Sequence, residues 1–160
     1  MKLLKSVGVC LAVLTFSVGS VQALKIKERK AVKKGKEDVA AAVKPMKEAC
    51  KSNAMKVSVD WDAMGKLTES AKKQDRTLEN LISVGSSTAV DMVNSFTRLC
   101  ADEDYREAMS EIKEIKMVPT GVEEKPWHRA KRTGGVLKLT FYATGTVQPY
   151  DVKEAISEVL

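Results

Sequence analysis

Histidine is nearly missing from this chain: 160 residues contain one, His128. Cysteine is scarce too, with three copies, at Cys10, Cys50 and Cys100. Zinc-type sites are built from clusters of these residues at short spacings, and none can be assembled from so few. Calcium spacing is lacking as well. Asp102, Glu103 and Asp104 are three acids in succession, which suits the positive end of a helix better than a cation loop. Nucleophilic catalysis requires a serine or cysteine beside a base. Arg129 next to His128 disfavours its protonation and would leave it available as a base. No Gly-x-Ser-x-Gly elbow accompanies it, however, and its basic neighbours place it on an exposed hairpin. Thr133-Gly134-Gly135 lacks the lysine and following helix of a phosphate loop, and no Gly-x-Gly-x-x-Gly follows a strand. No cofactor and no metal are expected.

Aromatic residues make up 5% of the chain, against 44% hydrophobic and 30% charged residues overall. That composition excludes both a disordered acidic tail and a bundle of membrane helices. Basic charge is what the chain has in plenty, with 27 Lys and Arg against 21 Asp and Glu and a net charge of +6.

The N-terminus sets the compartment. Lys2 and Lys5 precede an apolar run from Val7 to Val18, and Val21 and Ala23 fit the small-residue positions of a signal peptidase site. The run is shorter than the roughly 20 apolar residues of a membrane span. Cys10 lies inside it, not after it, which argues against a lipid anchor. Residues 1–23 read as a cleaved secretory signal, and the protein as periplasmic or secreted. Cys50 and Cys100 remain after cleavage, and an oxidising compartment favours their pairing. Closing a loop of this length contributes about 4 kcal/mol in the chain-entropy model.

Residues 24–36 carry Lys25, Lys27, Arg29, Lys30, Lys33, Lys34 and Lys36 with Glu28 as the one acid. A block this basic repels itself and is expected to fray. Residues 37–160 read as a single domain. Val39, Val43, Met46 and Cys50 form a helical stripe interrupted by Pro45. Met55, Val57, Val59 and Trp61 alternate with polar residues as in a half-buried strand. Asp60 or Asp62 can cap a short helix bearing Met64, Leu67 and Ala71. The longest stripe runs from Leu78 to Cys100, with Gly85 and Ala89 on its apolar face, where another element can approach closely. The ends of the two long stripes bring Cys50 and Cys100 together. Tyr105, Ala108, Met109 and Ile112 supply a further helix. Ile115 to Val118 reads as a strand, residues 127–132 and 137–142 as a hairpin around Gly134 and Gly135, and Asp151 opens a terminal helix. The expected class is α+β, a small antiparallel sheet of three or four strands covered by about five helices.

Three functional readings follow. The first is an exported, non-enzymatic interaction or accessory protein. The second is a binder of an anionic envelope component, whether lipid headgroup, lipopolysaccharide or acidic protein, through two basic patches. One patch comprises Lys125, Trp127, Arg129, Lys131 and Arg132; the other is the block from Lys25 to Lys36. Export argues against genomic nucleic acid as a partner. The third, weaker reading is a carbohydrate-active enzyme using Asp60 or Asp62 beside Trp61. Convergence of the two patches in space would favour the second.

Overall fold

A computed structural model describes residues 24–121, 128–144 and 149–160. Residues 1–23, expected to be a secretory signal, lie outside the described residues, as do Lys125 and Trp127. The chain runs α1 (Ile26–Ala49), β1 (Lys56–Val59), α2 (Trp61–Gly65), α3 (Thr68–Lys73), α4 (Leu78–Leu99), α5 (Glu103–Ser110), β2 (Glu114–Thr120), β3 (His128–Thr133), β4 (Val136–Tyr142) and α6 (Pro149–Ser157). The class is α+β, with one four-stranded sheet in the order β1-β2-β4-β3.

The sheet is mixed, which corrects the antiparallel expectation. β1 pairs with β2 and β2 with β4 in parallel, and only the β3–β4 hairpin is antiparallel. The reason lies in the connections: α2 to α5 intervene between β1 and β2, and a long helical crossover returns the chain in the same direction. The hairpin turns at Gly134, whose φ of +56° is one that a side chain disfavours. The Gly135 carbonyl accepts from the Lys113 and Glu114 amides at 2.7 and 3.1 Å, tying the turn to the start of β2.

The basic segment 24–36 does not fray; it supplies the first turns of α1. Three features offset its self-repulsion. The Lys25 amide donates to Glu28 Oε2 at 2.6 Å, capping the helix. Lys33 and Lys34 pair with Glu37 and Asp38 one turn on, at 4.0 and 2.8 Å. Ala31 and Val32 pack against the core. The helix continues through Pro45 to Ala49.

α1 packs chiefly on α4. Gly35, Val39, Ala42 and Met46 are its buried residues, and Leu81, Ile82, Ala89, Met92, Val93 and Phe96 are among those of α4. Burying each large side chain of this kind is worth about 1.5–3 kcal/mol. The helices approach closely at Gly35, where a Cβ would stand 2.7 Å from the Trp61 ring and 2.9 Å from Ser86 Cβ. Gly85 receives Met64 of α2, as its place on the apolar face suggested; a Cβ there would lie 2.7 Å from the Met64 sulfur. Ser86 and Ser95, buried on α4, donate to the Ile82 and Asp91 carbonyls at 2.7 and 2.8 Å, so neither hydroxyl is stranded. At the far ends of α1 and α4, Cys50 and Cys100 form a buried disulfide, with Cα atoms 4.9 Å apart.

β1 is shorter than its alternating pattern suggested. Asp60 ends it by accepting from the Ala63 amide at 2.8 Å as the cap of α2, and Trp61 becomes the first residue of that helix.

Candidate functional site

The period-two alternation of the strands divides the sheet into two faces. Ile115, Met117, Leu137, Leu139 and Phe141 point into the core and are buried. The other face carries Lys56, Ser58, Glu114, Lys116, Val118, Arg129, Lys131, Thr133, Val136, Lys138, Thr140 and Tyr142, none of them buried. Among the described residues this face is open. Within the strands it bears five basic side chains and one acidic one.

Strand register concentrates that charge. Lys116 stands opposite Lys138, and Lys138 opposite Lys131, so three lysines from three strands form one row. Neighbouring strands are about 4.8 Å apart, and like charges placed directly opposite each other are destabilising. Lys116 has a carboxylate near it, Glu114 at 3.8 Å. Lys131 and Lys138 have no acidic partner among the described residues. Arg129 extends the basic face at the end of β3, opposite Thr140. All four basic side chains are exposed.

The structure redistributes the residues singled out in the sequence. Arg129 and Lys131 share the open face. Arg132 falls on the opposite face of β3, where it pairs with Glu111 and donates through Nε to the Gly134 carbonyl at 3.1 Å. His128, expected on an exposed hairpin, is buried at 4% exposure because its register opposite Phe141 puts it on the core face.

The second basic patch is spread out by helix geometry. At 3.6 residues per turn the basic side chains of this block fan over the solvent half of α1, opposite Gly35, Val39, Ala42 and Met46, and Lys33 and Lys34 are engaged by their acidic neighbours. The hydrogen bond from Lys34 to Asp38, with the attraction of that carboxylate, raises the Lys34 pKa above its ordinary value. Among the described residues the two patches do not converge: α1 flanks the β1 edge, while β3 is at the opposite edge of the sheet.

Asp60 is occupied as a helix cap, and Trp61 packs against the core beside Gly35. No group of three or more metal-ligating side chains is found among the described residues. Among them, too, no helix is long and apolar enough to cross a membrane.

Sequence reasoning missed Lys116 and Lys138. The alternation Ile115-Lys116-Met117 and Leu137-Lys138-Leu139 already puts each lysine on the polar side of its strand. What brings them together is the parallel pairing of β2 with β4, and single-strand periodicity carries no information about neighbours. Compared with protein-family models, curated proteins and solved structures, the chain matches none.

Proposed function

We propose that the protein is an exported, non-enzymatic interaction module that binds an anionic phospholipid surface of the cell envelope through the open face of its sheet. The observation that carries this reading is the row Lys116–Lys138–Lys131. Three like charges held side by side cost stability unless an anion offsets them, and a flat sheet face suits a flat array of phosphates better than a single small anion. The buried disulfide and the signal-like N-terminus support a periplasmic or secreted location, where such a surface is accessible.

The test is co-sedimentation of the mature protein with vesicles of phosphatidylcholine containing one-fifth phosphatidylglycerol, over a series of salt concentrations. A basic residue near an anionic surface contributes about 1 kcal/mol. The combined variant Lys116→Gln, Lys131→Gln, Lys138→Gln is therefore expected to bind roughly a hundredfold more weakly, with a flatter salt dependence. Pure phosphatidylcholine vesicles should not bind. Equal sedimentation of parent and variant would overturn the reading. Capture of polyglutamate without capture of either vesicle would reassign the face to an acidic protein.

A further inference from the structure

The two edges of the sheet are not equivalent. α6 packs against β3 at one edge, with Val152 and Ile156 fully buried. At the other edge β1 has, among the described residues, one strand neighbour, β2. Between β1 and α1 lies an open groove of about 610 Å³, lined by Lys36, Val39, Ala40, Val43 and Lys47 from the helix and by Lys56, Val57, Ser58 and Val59 from the strand. Trp61 and Glu114 complete the lining.

The backbone of β1 is oriented to use this groove. The Lys56 and Asp60 amides donate to the Lys113 and Met117 carbonyls, both at 2.9 Å, on the β2 side. In a parallel ladder the bonding residues alternate, so the N–H and C=O groups of Val57 and Val59 point away from β2 and into the groove. Their side chains face the same side of the sheet as Val39, Val43 and Trp61. Exposed edges of this kind are usually blunted by shortness and by charge, and β1 has both features in its four residues and Lys56. A helix that covered the edge would also blunt it, but α1 leaves an open groove beside β1, with room for every second side chain of an added strand.

We infer that this groove binds an extended segment of a partner protein by strand addition to β1, and that the segment alternates apolar and acidic residues. Main-chain hydrogen bonds to Val57 and Val59 supply the affinity, and alternate side-chain pockets the specificity. Dimensions agree: the stretch of α1 from Lys36 to Lys47 spans about 17 Å at 1.5 Å per residue, room for about five extended residues at 3.3 Å each. Apolar side chains of the segment lie toward Val39, Val43 and Trp61, and its carboxylates toward the Lys56 side. Charge complementarity favours acidic residues through the groove as a whole: Lys36 and Lys47 stand on the helix rim and Lys56 on the strand side, with Glu114 as the one acid of the lining. Lys47 keeps part of its capacity for the Asn53 carbonyl, at 3.1 Å. The surface is distinct from the lysine row, so this inference stands or falls apart from the lipid reading.

The test uses the mature protein and three dye-labelled peptides read by fluorescence anisotropy. They are acetyl-Val-Glu-Val-Asp-Val amide, its counterpart with lysine at both acidic positions, and a version N-methylated at alternate residues. The first should bind, and the other two at least tenfold more weakly. Val57→Pro removes an outward-facing donor without touching the β1–β2 ladder, and should weaken binding at least tenfold with an unchanged circular dichroism spectrum. Val43→Glu, on the helix side, should do the same and serves if the proline variant fails to fold. Binding of all three peptides alike, or of none at millimolar concentration, would overturn the proposal. So would light scattering that shows dimers dissolved by Val57→Pro, which would give the groove to a second copy of this chain.

Discussion

Two regions of the molecule carry dense basic charge and handle it in opposite ways. On α1 the basic residues of 25–36 fan over the solvent half of the helix, and acids one turn away engage Lys33 and Lys34. On the open face of the sheet, Lys116, Lys138 and Lys131 are set side by side by register, with Glu114 as the one nearby carboxylate among the described residues. The first arrangement fans its charge over half a helix and offsets two of its seven cations with acids of the same helix. The second holds repulsion in the folded state and gains when an anion is supplied. Basic residues close together in sequence therefore make a weaker candidate surface here than basic residues far apart in it.

The comparison assumes that both regions are held in one frame, and the largest expected effect comes from breaking that frame. Replacing Cys50 and Cys100 together by Ala should cost about 4 kcal/mol, read as a lower midpoint in urea. Hydrogen exchange should quicken most in α1, whose end the disulfide ties to α4, and least in the β2–β4 ladder at the centre of the sheet. Uniform acceleration in both regions would mean that they do not differ in how they are secured.

A smaller effect is expected from Gly35→Leu. The site has Trp61 and Ser86 against it, and forcing a large side chain into a filled contact typically costs 1–3 kcal/mol. The helix pair should loosen while vesicle binding by the sheet face survives in the folded fraction, as measured by thermal unfolding and co-sedimentation together. Loss of vesicle binding at full folding would couple the two regions.

Smaller again, and opposite in sign between the regions, is removal of a single charge. Lys138 sits between two lysines, so Lys138→Gln relieves two like-charge contacts and should raise stability by about 0.5–1 kcal/mol at low salt. The gain should shrink as salt is added. Lys34→Gln should lower stability slightly, since it removes the partner of Asp38. If both substitutions shift the urea midpoint in the same direction, the contrast drawn between the two surfaces is wrong.

Much of this arrangement could be read from residue spacing. The α1 and α4 stripes, the meeting of Cys50 with Cys100, the Asp60 cap and the Gly134-Gly135 turn all follow from contacts within a few residues or from long, regular periods. The open face could not be read in the same way. Strand alternation assigns Lys116, Lys131 and Lys138 to polar sides separately, but their adjacency depends on β3 passing to the sheet edge so that β4 lies beside β2. Arg132 shows the same limit: one residue from Lys131 in sequence, it belongs to the other face of β3. The expected fraying of residues 24–36 failed for a local reason, because net charge was weighed without the i,i+4 placement of Glu37 and Asp38.

That placement leads to the smallest effect, the titration of Lys34. Its hydrogen bond to Asp38, assisted by the carboxylate's charge, holds the ammonium pKa above the ordinary lysine value. The folded state therefore binds this proton more tightly than the unfolded chain does. The resulting stabilisation is fully present below the unfolded lysine pKa and is lost as pH rises through the higher folded value. Because the pair lies at the surface, salt should screen it and bring the Lys34 titration back toward that of a free lysine. Asp38→Asn should do so at any salt concentration, as followed by the Nζ resonance of the ¹⁵N-labelled protein between pH 9 and 12. If Lys34 titrates identically with and without Asp38, the helix does not satisfy its own charge. The α1 block would then be as open to an anionic partner as the lysine row on the sheet.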